Sequence, residues 1–222
     1  MALPTRILFI GNSFTARNNL PDLMASLVCA GGKGELEHEL ISAGGASLRM
    51  HLNKGDAQKR MQDTHWDYVV LQEQSTLPIK NGRRAIKNIR DFDACIKETG
   101  TQAVLYMTWA RQDAPQTQDV LAQIYTQAGH ELNAPVVPVG LAWQHCLGKN
   151  PDLLLHDQDK SHPNLAGTYL AACTFYATLF IGRSRSIPPI EIDLDEVLVN
   201  QLQTSALGTV QAFKGARAEL PN

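Results

Sequence analysis

Long apolar runs are missing from this chain: no stretch reaches the roughly 18 to 20 apolar residues that cross a bilayer as a helix, so a membrane span is not expected. Excess charge is missing too. Lys+Arg number 20 against 22 Asp+Glu, a net charge of -2 with no acidic or basic run, which removes the electrostatic footprint expected for nucleic acid or anionic lipid. Cysteine is scarce. Cys29, Cys95, Cys146 and Cys173 lie far apart, without the spacing of a zinc site or a disulfide framework, and read as reduced, buried thiols. The N-terminal apolar run is too short for a signal peptide and lacks its cleavage site, so a cytoplasmic chain is the expectation. No Gly-x-Gly-x-x-Gly follows any apolar run, and Gly11 is not followed by Gly-Lys-Ser/Thr, so no phosphate-cradling loop is foreseen. Gly-x-Ser-x-Gly is absent as well, because Thr15 stands where its last glycine would be.

What is present is a chain of 222 residues, 44% hydrophobic, with no linker-like interruption, which reads as a single domain over residues 1–222. Residues 6–13, Arg-Ile-Leu-Phe-Ile-Gly-Asn-Ser, organise it. The four apolar residues from Ile7 to Ile10 have the length and character of a strand buried on both faces, as at the centre of a parallel sheet. A loop is expected over residues 14–19, then a helix with Leu20, Leu23, Met24, Leu27 and Val28 on one face. Residues 36–41 read as a second strand, 48–62 as a weak helix and 68–71 as a third strand running into Gln72-Glu73-Gln74-Ser75. A helix over 83–99, a strand over 103–109, a helix over 116–132 and a strand over 135–141 follow. Five strands alternating with helices predict a parallel sheet in a three-layer α/β arrangement. Residues 164–181 read as an amphipathic helix begun by Pro163, and 193–216 as a last one.

In such sheets chemistry gathers beyond the carboxyl ends of the strands, and the first strand runs straight into Gly11-Asn12-Ser13. Ser13 is therefore the candidate nucleophile. The second informative stretch is His156-Asp157-Gln158-Asp159-Lys160-Ser161-His162-Pro163, just before a core helix. A turn there brings Asp159 to His162. A carboxylate accepting from one imidazole nitrogen fixes the tautomer, leaving the other nitrogen to take a proton from a serine hydroxyl. Four potential ligands in one loop also suit a divalent ion, but no second cluster completes them. His38, His51, His65, His130 and His145 read as surface or structural residues. Trp109 and Arg111 end the fourth strand, where core packing and a surface salt bridge are the simpler roles.

The order Ser13, Asp159, His162 resembles the SGNH hydrolases, the GDSL-type esterases and lipases. Gly11-Asn12-Ser13 is similar to their first block, with Asn12 in place of the usual Asp, and Asp159-x-x-His162 matches their last. The resemblance implies a three-layer α/β/α sandwich with a flavodoxin-like five-stranded parallel sheet and a serine esterase. It places a backbone donor of the oxyanion hole at Gly45 beside that of Ser13. The superfamily's Gly-x-Asn-Asp block is replaced by Gln72-Glu73-Gln74-Ser75, so a glutamine is expected to supply the third donor. Gln72 is favoured, as it directly follows the third strand, with Gln74 second on the same face. No metal or organic cofactor is implied, and the expected partner is a small-molecule ester with a short acyl group, such as an acetyl ester of a carbohydrate. The rival is a non-catalytic module on the same scaffold that holds a small ligand. Oligomeric state is left open.

Overall fold

The computed structural model describes residues 3–182 and 185–218. Its strands are β1 (Thr5–Gly11), β2 (Leu36–Ser42), β3 (Tyr68–Leu71), β4 (Gln102–Tyr106) and β5 (Val136–Val137). They form one parallel sheet in the order β2-β1-β3-β4-β5. The helices are α1 (Ser13–Ala16), α2 (Leu20–Ala30), α3 (Leu48–Lys54), α4 (Asp56–Asp63), α5 (Leu77–Lys80), α6 (Gly82–Lys97), α7 (Gln118–Leu132), α8 (Val139–Lys149), α9 (Leu165–Leu179) and α10 (Glu196–Ala218). Among the described residues none of them is long and apolar enough to cross a membrane.

Strand pleating sorts the core into two layers. Ile7 and Phe9 of β1 pack with Met24, Leu27 and Val28 of α2 and with α9, while Leu8 and Ile10 pack with Met61 of α4 and Ile86, Ile89 and Phe92 of α6. Both faces of β1 are therefore dry, which is why its sequence is a continuous apolar run and not an alternating one. The chain leaves β1 toward β2 on one side and later returns to pair β3 on the other. That reversal opens a crevice at the carboxyl ends of β1 and β3, where Ile10 is in register with Leu71.

Several boundaries differ from expectation, each for a local reason. Residues 14–19 are not a loop but α1 followed by a 3₁₀ turn, because Asn12 caps the helix by accepting from the Phe14 N–H. The helix expected over 48–62 is two helices, broken at Gly55 with φ of 83°. Strand β4 stops at Tyr106, short of residue 109. Strand β5 has only two residues instead of running to 141, since Pro138 has no N–H for the ladder and α8 begins at Val139. Pro163 does not open α9: Asn164 caps it, accepting from the Gly167 N–H at 2.9 Å, and proline precedes the cap. Nor is α9 amphipathic. Every residue from Ala166 to Ala177 is buried, because α2, α8 and α10 pack around it beside the sheet.

Gly140 shows how tightly the start of α8 lies against the segment that follows β4 and against α7. A Cβ there would meet the Thr108 carbonyl oxygen at 2.2 Å and the Gln118 amide nitrogen at 2.3 Å, whereas at Gly148 of the same helix it would meet nothing. Gly140→Ala should destabilise the fold by about 1–3 kcal/mol, the usual cost of overpacking. Gly148→Ala should be neutral or gain up to about 1 kcal/mol of helix propensity. Urea melts of the two variants check the pair, and equal stabilities would contradict the packing.

Candidate active site

The end of β1 is built to turn the chain abruptly. A Cβ on Gly11 would meet Gln72 Oε1 at 2.6 Å and Thr15 Oγ1 at 2.7 Å, so only glycine fits. Two peptide groups that leave the sheet there find side-chain partners. The Gly11 carbonyl accepts from His51 Nε2 at 2.8 Å, and the Asn12 N–H donates to Gln72 Oε1 at 2.8 Å. Asn12 itself, 2% exposed, uses its amide twice: Oδ1 accepts from the Phe14 N–H and Nδ2 donates to the Ala46 carbonyl at 3.0 Å. Ser13 thus emerges at the first position of α1 from a fully braced turn.

The partner loop comes from 149 residues further on. Ser13 Oγ lies 2.7 Å from His162 Nε2, and His162 Nδ1 makes a short contact with Asp159 Oδ2. Asp159 Oδ1 accepts from the Ser161 and His162 N–H groups at 3.0 and 2.9 Å, so the carboxylate is fixed before it meets the ring. The His162 imidazole and these N–H groups hold the Asp159 carboxyl well below the usual carboxylate range. It is ionised throughout the neutral range although nearly half exposed. Lys160 takes a φ of 61°, which closes the turn between the two residues.

Aromatic packing sets the loop against the nucleophile. Phe14, next to Ser13, meets the His162 ring edge-on at 5.3 Å and stacks on Trp109 at 4.8 Å, and Trp109 stacks on Trp143 at 4.0 Å. Trp109 Nε1 donates to the Ser161 carbonyl at 3.0 Å. At 2% exposure Trp109 belongs to the core, yet it also anchors the loop that carries Asp159 and His162. Asn18 Nδ2 adds a bond to the Pro163 carbonyl at 3.1 Å, and Arg17 pairs with Asp157 at 2.9 Å.

The four potential ligands of residues 156–162 have separate duties. His156 Nε2 bonds the Ala110 carbonyl at 3.0 Å, Asp157 faces Arg17, and Asp159 is committed to His162. Among the described residues no group of three or more His, Cys, Asp or Glu side chains is placed to hold a metal ion. Gly45 lies exposed in the loop that Asn12 ties down through Ala46, with φ of 64°. The Ser13 and Gly45 N–H groups have no acceptor among the described residues.

Gln72 departs from expectation. Fully buried, it accepts from the Asn12 N–H and from Thr15 Oγ1 at 3.1 Å, while its Nε2 donates to the Glu73 carbonyl at 2.5 Å. The Asn12 N–H can only donate, so the amide orientation is fixed and the NH₂ points at its own backbone. Gln72 braces the Gly11-Asn12-Ser13 turn through the bonds that its Oε1 accepts. Gln74 is half-buried: its Oε1 accepts from the Thr76 N–H at 3.0 Å, and its Nε2 has no partner among the described residues. Sequence reasoning also passed over Glu73, which is completely buried, and the bracing role of His51. Glu73 stands two residues past β3 between Gln72 and Gln74, so its polar neighbours gave no sign of its burial.

No family model and no curated protein matches the sequence. Solved structures do match in fold. A candidate SGNH hydrolase from Slackia heliotrinireducens is 27% identical, covering 80% of this chain and all of its own, with a TM-score of 0.68. A DUF4886 family protein from Bacteroides uniformis is 19% identical over 94% of this chain and 95% of its own, with a TM-score of 0.72. An acetyl xylan esterase is 15% identical over 78% of this chain and 99% of its own, with a TM-score of 0.64.

Gln72→Ala strands the buried Asn12 N–H and should therefore cost about 1–3 kcal/mol of stability. Guanidinium unfolding of this variant beside Gln74→Ala, which leaves that N–H paired, checks the assignment. A Gln72→Ala protein as stable as the parent would remove the bracing role.

Proposed function

From a chain that carries the fold of the SGNH hydrolase superfamily, we propose a serine hydrolase that cleaves a carboxylic ester through an acyl-enzyme, with Ser13, His162 and Asp159 as the triad. One observation carries this reading: Ser13 Oγ is 2.7 Å from His162 Nε2 while the other ring nitrogen meets Asp159. Asp159 accepts a hydrogen bond from the Nδ1–H, which keeps the proton on that nitrogen, so Nε2 presents a lone pair to the Ser13 hydroxyl. As Ser13 attacks the ester carbonyl, that proton passes to Nε2, and the ionised Asp159 stabilises the imidazolium. His162 then returns the proton to the departing alcohol. Water repeats the sequence on the acyl-enzyme and frees Ser13.

The developing oxyanion needs donors already in place. The unpartnered N–H groups of Ser13 and Gly45 supply two. The third is Gln74 Nε2, two residues beyond the expected Gln72, because only Gln74 has an amide nitrogen to spare. The substrate class is a short-chain acyl ester, such as an acetyl ester of a carbohydrate. The acetyl xylan esterase among the fold neighbours supports this, as does the lack of a long apolar insertion that would shelter a fatty chain.

Ser13→Ala and His162→Ala should each lower kcat by on the order of 10⁴-fold, with the double variant losing little more. Gln74→Ala should lower kcat by about 10²-fold with KM little changed. A fluorophosphonate probe read by intact mass gives the independent check. A folded protein that gains no adduct on Ser13 would favour the ligand-holding module instead.

The substrate class is tested by p-nitrophenyl esters from acetate to decanoate. kcat/KM should be greatest for the shortest chains and fall with length, and a maximum at decanoate would refute a short-acyl preference.

A further inference from the structure

Glu73 is a completely buried carboxylate that forms no ion pair among the described residues, although the Arg84 charge acts on it, and it is an expensive group to place in a core. Its three hydrogen-bond partners come from three separate segments. Oε1 accepts from the Leu48 N–H at 3.0 Å and from the Gln74 N–H at 2.7 Å, and Oε2 accepts from Asn88 Nδ2 at 2.8 Å. All three partners are donors, so an acceptor-only side chain suits the position. Leu48 opens α3 three residues after Gly45, and Gln74 follows Glu73 directly. A single oxygen is therefore shared by the loop that holds one proposed oxyanion donor and the backbone of another. Asn88, 1% exposed on α6, closes a ring by accepting from Arg49 Nε at 3.4 Å, and the Arg49 guanidinium pairs with Asp91 of the same helix.

Resting on the esterase reading, we propose that Glu73 is a positioning residue that sets the Gly45 loop and Gln74 in register as one oxyanion site. Touching no substrate, it acts through the Leu48 and Gln74 N–H groups. Its partners are fixed groups of the sheet end and of α6, so the spacing of the two donors is established before substrate arrives. This is the preorganisation that oxyanion stabilisation requires, and a misplacement of about 1 Å can cost about 10²-fold in rate. Burial pushes the Glu73 carboxyl up, against the pull of its hydrogen bonds. An uncharged side chain of the same shape would escape that burial penalty, which makes glutamine the informative replacement. Its Oε1 can still receive both backbone N–H groups, and the Asn88 amide can turn over to accept from its Nε2, giving up only the long 3.4 Å bond from Arg49 Nε, whose guanidinium keeps Asp91.

Glu73→Leu should lower kcat on a p-nitrophenyl acyl ester by about 10²-fold with KM unchanged within about twofold, and should speed amide hydrogen exchange at Leu48 and Gln74. Glu73→Gln should retain most of kcat and melt no lower than the parent. Asn88→Ala, which removes the Oε2 partner only, should lower kcat by about tenfold with KM again unmoved, and it carries the test if Glu73→Leu does not fold. A rise in KM at constant kcat, or a folded Glu73→Leu protein with full kcat, would overturn the proposal. So would a Glu73→Gln variant as impaired as Glu73→Leu, since charge and not hydrogen-bond geometry would then be at work. If the parent neither hydrolyses esters nor takes a fluorophosphonate on Ser13, the esterase reading fails. Exchange at Leu48 and Gln74 still reports whether Glu73 clamps the two segments.

Discussion

The site depends on one constraint: a chain leaving the middle of a dry sheet must pair every peptide group it carries out. Gly11 and Asn12 are at that exit. β2 still runs beside Gly11 through Ser42, but the last groups out of the sheet are met by side chains: Gln72 for the Asn12 N–H and His51 for the Gly11 carbonyl. Once those bonds are made, the direction of the chain is set. Asn12 is then free to cap α1 and reach across to Ala46, which fixes the Gly45 loop relative to Ser13. The turn that exposes the serine and the loop proposed to face the oxyanion are consequences of the same accounting of hydrogen bonds.

The second half of the site has a different anchor. The 156–162 loop is closed by its own backbone, with the Asp157 N–H on the His162 carbonyl at 2.7 Å, and the Gln112 N–H reaches its Lys160 carbonyl at 3.0 Å. It is held by an aromatic stack that runs from Phe14 through Trp109 to Trp143, with the Trp109 N–H on the Ser161 carbonyl. Such ring pairs contribute about 0.5–1.5 kcal/mol each beyond their burial, so together they outweigh the exposed Arg17–Asp157 pair in fixing the loop. The order of side chains matters. Phe14 adjoins Ser13 and also touches the His162 ring, so the core that supports Ser13 supports His162 as well.

How much of this could be read from the sequence depended on whether a feature was local. Continuous apolar runs at Ile7–Ile10 and 68–71 identified the central strands, because burial on both faces leaves no other composition. The Asp159-x-x-His162 spacing is a single turn, so its closure was legible too. Errors arose where a distant contact decided. Pro138 and the close approach of Gly140 to Thr108 ended β5 early, and α9 was taken as amphipathic because nothing local reveals that three helices surround it. Gln72 was misassigned because period-two alternation gives the face a side chain occupies but not whether a backbone N–H already claims its amide. Trp109 was correctly placed in the core, but its bond to Ser161 spans 52 residues and left no sequence trace.

The charges divide along the same boundary. Asp159 is ionised at the surface, where its own turn supplies two N–H donors and the imidazole a third contact, so its charge is inexpensive to hold. Glu73 has the same chemical group in the interior, where desolvation raises its pKa and three donors offset only part of that cost. A core selected for stability alone would fill that position with an apolar side chain. The carboxylate is better understood as a specificity device: its two acceptor oxygens join the start of α3, the end of β3 and α6 at one point. Rigidity at the end of β3 is thereby gained in the one direction that Gln72, already committed to Asn12, cannot supply.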